Sequence, residues 1–219
     1  MTPPTETTAS RPRVEGLREA EILEATLQVL VDVGYDRLTM DAVALRARAS
    51  KATLYRRWNS KLRLVIDALL TTKQTPSVPD TGSLRGDLQQ LMCGAGGMTD
   101  GEAVGTFGAV ITAIARDPEF ADAFRREIVG PKIAVSQQIW ERAKARGEVR
   151  PDLDLELVEP ALAGIVLHRV FLIGERPTEE LIGRVIDQII LPAVLPHPQP
   201  HSQTNSQTRS PRDRHEDII

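Results

Sequence analysis

The sequence predicts an all-α fold of about nine helices, divided into a small N-terminal unit and a larger C-terminal one. Three observations predict it. Apolar residues recur at spacings of three and four along most of the chain, and strand-like alternation persists nowhere. Helix-capping Ser, Thr and Asp residues stand just before the apolar-periodic runs. One Pro/Gly/Ser-rich break, Thr75–Ser83, separates two stretches of helical pattern.

The elements follow in order. Residues 1–12 are rich in Pro, Thr and Ser and read as a disordered arm. The first helix runs from about Val14 to Val33. Ile22, Thr26, Val29 and Val33 form its stripe, and Leu23, Leu27 and Leu30 widen it. Gly34 sits where a terminating glycine belongs. Thr39 reads as the N-cap of a short second helix, Met40–Ala47, with Asp41 complementing the helix dipole. Ser50 caps a short third helix, Lys51–Trp58, in which Leu54 and Trp58 share an inward edge. Asn59 or Ser60 caps a fourth, with Leu62, Val65, Ile66, Leu69 and Leu70 on its apolar face.

Beyond the break, helices are expected near Leu84–Cys93, Glu102–Arg116, Pro118–Arg146, Leu155–Ile173 and Thr178–Leu191. Asp117–Pro118 is a cap with proline at the first helical position. Pro131 should kink the long helix, and Pro160 should kink the next or delay its start. Gly94–Gly101 is a flexible connection, and from Pro196 onward the composition reads as a disordered tail. The division is thus an arm at 1–12, a first unit at 13–73, a second at 84–195 and a tail at 196–219.

The charge is unevenly placed. The 219-residue chain carries a formal charge of -3, yet Arg11–Arg63 holds eleven basic residues against seven acids, so that segment is +4 and the remainder -7. Within it, Arg46–Arg63 has seven basic residues and no acid. Such asymmetry suggests an end that meets a polyanion and a body with another task. Two short helices joined by a turn of about three residues fit a helix-turn-helix, whose second helix enters the major groove of duplex DNA. Lys51, Ala52 and Thr53 are the first turn of that helix. Lys51 can donate to guanine, and Thr53 offers a hydroxyl and a methyl group. Tyr55, Arg56 and Arg57 flank the inward edge, and Lys61 opens the next helix where backbone N–H groups favour an anion. A plain solvated face on a small helical bundle is the bland alternative.

The run TMDAVALRARASKATLYRRWNSK resembles the helix-turn-helix of the TetR family of bacterial transcriptional regulators. Gly34, Thr39, Ser50, Lys51, Thr53, Leu54, Tyr55, Trp58 and Lys61 occupy the places of that family's pattern over residues 14–70. The resemblance implies that Thr39, Tyr55 and Lys61 bind phosphates and that Lys51, Ala52, Thr53 and Arg57 line the groove. Arg48 departs from the glycine common in the turn. It strains the backbone if φ is positive, or adds a phosphate contact. The resemblance further implies a homodimer built on the last two long helices and a small-molecule effector enclosed by the middle ones. Met92, Phe107, Ile111, Phe124, Ile128, Trp140, Leu162 and Val166 are the candidate walls, suited to an apolar or aromatic molecule, although each taken singly fits a plain core better than a ligand contact. A repressor released by such an effector is expected. An activator, or a ligand-binding module whose basic face serves another partner, is the alternative.

Other classes find little support. His197, His201 and His215 lie in the tail without acids or cysteines at ligand spacing, and His168 reads as an interface histidine, so no metal or cofactor is expected. Gly94–Gly97 lacks the Gly-Lys-Ser/Thr of a phosphate loop, and no Gly-x-Ser-x-Gly occurs, so no catalytic residues are expected. A single cysteine, Cys93, no apolar run of roughly 18 residues and no leader-like N-terminus lead to the expectation of a cytoplasmic protein that does not enter membranes.

Overall fold

The computed structural model describes residues 11–71, 77–94 and 97–196, all helices and connections, with no strand among them. The proposed tail beyond Pro196 and most of the proposed arm, residues 1–10, lie outside the described residues.

Helix α1 (Arg11–Arg37) starts at Arg11, three residues sooner than the expected Val14. Its stripe is as read: Ile22, Leu23, Thr26, Leu27, Val29 and Leu30 are buried, and the Thr26 hydroxyl donates to the Ile22 carbonyl at 2.7 Å. Gly34 has φ 75° and ψ 166°, so the regular helix breaks there, at the position predicted from its lack of a Cβ. Helices α2 (Met40–Arg46) and α3 (Lys51–Arg57) each end one residue sooner than read. Helix α4 (Lys61–Thr71) begins after Ser60, whose hydroxyl accepts from Arg63 N at 3.1 Å. The buried face of α4 is Leu64, Val65, Ile66, Ala68 and Leu69; Leu64 takes the place expected for Leu62 and Leu70, which are only half-buried. Apolar residues at 62, 64–66, 69 and 70 offer two overlapping stripes, and packing against α1 selects one.

Helices α5 (Leu84–Cys93) and α6 (Gly101–Arg116) are capped by Ser83 and Asp100. Asp117 caps α7 (Pro118–Phe124), which continues through a π-helical turn, Arg125–Val129, into α8 (Gly130–Ala145). The irregularity expected at Pro131 is therefore taken up one turn earlier, where the widened turn absorbs the missing N–H. Pro160 stops α9 (Leu155–Val158) after one turn, and α10 starts after it (Ala161–His168), ending in a second π-helical turn, Arg169–Ile173. Thr178 caps α11 (Glu179–Val185), joined through Ile186–Ile190 to α12 (Leu191–Val194). With each π turn merged into its run and α9–α10 taken as one helix broken at Pro160, the described residues form nine helices.

Two apolar cores hold these together. The second unites α5, α8, α10, α11 and the segment after it around Leu84, Ile139, Trp140, Val166, Ile182 and Ile186. The first joins α1–α4 around Leu30, Leu54, Trp58 and Ile66, but it also takes in Val110, Phe120, Phe124 and Ile128 from α6, α7 and the π turn. The packing boundary thus runs through the body rather than through the linker, and α1–α4 rest on a platform that the body supplies.

Candidate nucleic-acid interface

Helix α3 is positioned from both ends. Ser50 Oγ accepts from Thr53 N at 3.1 Å, satisfying one of the free N–H groups of the first turn. At the other end Trp58 is 1% exposed, and its indole N–H donates to Asp67 Oδ2 of α4 at 2.9 Å. Leu54, one turn earlier, is fully buried. With these two inside, the opposite face of α3 turns outward: Lys51, Ala52, Tyr55, Arg56 and Arg57 are exposed. Tyr55 is 55% exposed, high for a residue type whose ring is ordinarily half covered.

The turn into α3 carries the strain expected of it. Arg48 has φ 51°, the one positive φ outside glycine among the described residues. Arg18 Nη2 donates to its carbonyl at 2.6 Å, and Ala49 N donates to Ala44 O at 2.9 Å on the other side. These bonds hold the turn without a glycine, and the Arg48 side chain is left outside. Thr39 caps α2 by accepting from Ala42 N at 3.1 Å, which uses a lone pair and leaves its O–H free to donate outward.

The sequence segment without acids is not without acids in space. Asp41 Oδ2 lies 2.5 Å from Lys51 Nζ. Glu19 accepts from Arg57 Nη2 at 2.8 and 3.0 Å, and Asp32 accepts from Arg46 at 2.7 Å. The hydrogen bond to Glu19, before its charge, raises the Arg57 pKa. Arg63 binds Asp67 at 2.8 Å and Glu127 of the first π turn at 2.9 Å, so its charge is satisfied inside the protein. Lys61 is half-buried: its ammonium donates to the Tyr35 carbonyl at 3.0 Å and sits 4.2 Å over the Tyr35 ring. That ring packs on Phe120 with centroids 4.4 Å apart. Burial, then the nearby Asp117, Glu119 and Asp36, pushes the Tyr35 hydroxyl up to about 12. Among the described residues, Arg48 and Arg56 are the two cations of the segment whose guanidinium groups have no hydrogen bond or ion pair. Thr53 also differs in part from expectation, since its hydroxyl shares a hydrogen bond with Ser50 Oγ at 2.8 Å, which leaves part of its bonding capacity and its methyl available.

Glu19, Asp41, Asp67 and Glu127 are charge partners that sequence reasoning missed. Only the Arg63–Asp67 pair had a local signal, the i,i+4 spacing on one helix.

The expected effector walls do not form one surface. Phe124 and Ile128, with Phe107 packed against them, belong to the first core. Met92, Trp140, Leu162 and Val166 belong to the second. Ile111 is 42% exposed. Two open clefts of about 300 and 400 Å³ flank α1 instead, sharing Glu24, Gln28 and Arg46, and none of the eight residues lines either. In the second core the buried Trp140 indole N–H has no hydrogen-bond partner among the described residues. Among those residues no group of His, Cys, Asp and Glu is arranged to hold a metal, and no helix is long and apolar enough to cross a membrane.

Residues 22–68 match the family model of bacterial regulatory proteins of the tetR family, and residues 78–189 match that of the tetracyclin repressor-like C-terminal domain. An uncharacterized HTH-type transcriptional regulator of Mycobacterium tuberculosis is 37% identical over 178 residues, 80% of this chain and 86% of that protein. A protein of Mycobacteroides abscessus named DNA-binding transcriptional repressor TetR is 36% identical over 180 residues, 80% of this chain and 92% of that one. The crystal structure of the TetR family transcription regulator SCO0332 superposes with a TM-score of 0.60 at 30% identity, covering 82% of this chain and 99% of that one.

Proposed function

Since the chain belongs to the TetR family of bacterial helix-turn-helix transcriptional regulators, we propose that it is a ligand-responsive repressor that binds a near-palindromic operator as a dimer and is released by a small apolar or aromatic effector. The observation that carries the DNA reading is the outward face of α3, which exposes Lys51, Ala52, Tyr55, Arg56 and Arg57 while Leu54 and Trp58 are sealed inside. Lys51, Ala52, Thr53 and Arg57 enter the major groove. Thr39, Arg48, Tyr55 and Arg56 meet the phosphates on either side, with Ser50 holding the helix start and Lys61 lending the backbone N–H groups of α4. Repression is the reading favoured by the name of the M. abscessus relative.

The dimer face is the exposed apolar surface of the second π turn and of the segment that joins α11 to α12. Leu172 and Ile173 of the second π turn are 75% and 58% exposed, and Ile189 is 48% exposed. Apolar surface of that kind is normally covered by a partner. A second copy there places two α3 helices on one side of the duplex, where about 34–36 Å separates successive major-groove sites. Leu172→Glu is expected to weaken association by about 2 kcal/mol, read as a shift to monomer in sedimentation at fixed concentration. Unchanged dimer would move the interface elsewhere.

The effector reading rests on the apolar second core, where the Trp140 N–H offers a donor to an acceptor group of the effector. Release requires that the effector favour the state in which the two heads are wrongly spaced.

Selection of the purified protein against random duplex DNA, without added ligand, tests the reading. Enrichment of a near-palindrome supports it; a folded dimer that enriches nothing overturns it. Arg56→Ala is expected to weaken all sequences alike and to lower the slope of log K against log salt by about 0.9, the contribution of one phosphate contact. Since Lys51, Arg46 and Arg57 are already paired with acids, the total slope is expected to be well below that of seven cations. A slope of about six, the full value for seven phosphate contacts, would mean that DNA displaces those acids.

A further inference from the structure

Lys51 is paired with Asp41 at 2.5 Å, and both side chains are mostly exposed, 64% and 59%. An exposed pair of this kind contributes little to stability, so folding does not explain it. Nor does phosphate binding, because the pair has no net charge and a carboxylate repels the backbone. Its place is informative. Lys51 opens the outward face of α3, and Asp41 lies in the first turn of α2, so the two come together at the leading end of the reading helix.

We propose that Asp41 and Lys51 act as one donor–acceptor pair that reads a single G·C base pair, with Asp41 a specificity-determining residue; this presupposes the DNA-binding reading above. The chemistry is complementary group by group. An ammonium has three N–H donors. One is held by Asp41, leaving two, and guanine presents two acceptors in the major groove, N7 and O6. The cytosine of the same pair presents the N4 amino donor, which the free lone pairs of Asp41 accept. O6 and N4 are hydrogen-bonded to each other at about 2.9 Å, close to the spacing of the two charged atoms in the protein. At A·T the match fails. Adenine offers a donor where the second ammonium N–H points, and thymine O4 sets an acceptor against the carboxylate. Asp41 also blocks the freedom that lets an unpaired lysine donate to any acceptor within reach.

The test compares random-duplex selections by the full-length protein, Asp41→Ala and Lys51→Ala, with thermal melting of each. Asp41→Ser, which keeps a side chain favourable at a helix start, serves if the alanine variant melts early. Both Asp41→Ala and Lys51→Ala are expected to relax one and the same position per half-site, lowering discrimination there about 5- to 150-fold and leaving the other positions intact. Asp41→Ala is also expected to tighten non-specific binding and steepen the salt slope by about 0.9, because Lys51 becomes an uncompensated cation. An unchanged Asp41→Ala profile, or relaxation at a position different from that of Lys51→Ala, overturns the pair while leaving the DNA reading in place. A wild-type protein that enriches no sequence overturns both.

Discussion

Trp58→Ala is expected to destabilise the protein by about 3–5 kcal/mol, the usual cost of deleting a buried aromatic side chain. Trp58 is 1% exposed, lies in the first core with Leu54, Leu64 and Ile66, and ends α3. Its removal opens a void that these branched neighbours cannot refill and leaves Asp67 with one fewer donor. Urea unfolding followed by circular dichroism measures the loss. DNA affinity should fall for every sequence at once, since the whole reading face depends on this anchor. A loss below about 1 kcal/mol, the scale of a single cap, would mean that α3 is held by its caps and its ion pairs instead. Trp58→Phe separates the two roles, since it keeps most of the volume and deletes only the donor.

The second large effect is expected at Asp87, a fully buried carboxylate in α5. It accepts from Thr81 N at 2.6 Å, from Thr81 Oγ1 at 2.8 Å and from Arg146 at 3.3 Å, and so pins the segment before α5 and the end of α8 to one point. Asp87→Ala removes the acceptor that Thr81 and Arg146 share, at a cost of about 1–3 kcal/mol. The same geometry sets a pH dependence. Burial pushes the Asp87 carboxyl up, but the Thr81 and Arg146 hydrogen bonds outweigh it and hold it below its ordinary value of 3.8. A depressed carboxylate contributes stability that is complete above the ordinary value and is lost as pH falls through the native one. Glu127 is shifted in the same direction: burial opposes ionisation there, and Arg63 and Arg126 prevail. Melting temperature is therefore expected to hold steady from neutrality to about pH 5 and to fall steeply below about pH 4. Asp87→Ala should flatten that acid limb. A variant with the wild-type acid limb would assign the dependence to other carboxylates.

How Trp58 came to be legible and Asp87 did not shows where sequence reading stops. Trp58 and Leu54 are four residues apart in a helix opened by a serine cap, so a one-dimensional pattern places both on the inner edge and Tyr55, Arg56 and Arg57 outside. Asp87 reads only as an acid in the first turn of α5, and its burial depends on Arg146, 59 residues away. The same distinction runs through the charges. The acid-free run Arg46–Arg63 is plain in the sequence, but Glu19, Asp32, Asp41 and Glu127 come from other helices to neutralise it. Lys61, read as a phosphate ligand, has its ammonium turned toward Tyr35 by a carbonyl and a ring that no local spacing could reveal.

By itself, then, the sequence determined the elements and their faces: the capped helices, the break at Gly34, the strained turn at Arg48 and the outward edge of α3. Each of these follows from neighbours within about four residues, whose geometry the helix dictates. Tertiary structure alone decided which of two stripes on α4 is buried, that the core of α1–α4 extends into α6, α7 and the first π turn, and which cations remain free for a polyanion. Those outcomes depend on contacts across tens of residues, and only the packed chain sets the distance between an arginine and the carboxylate that claims it.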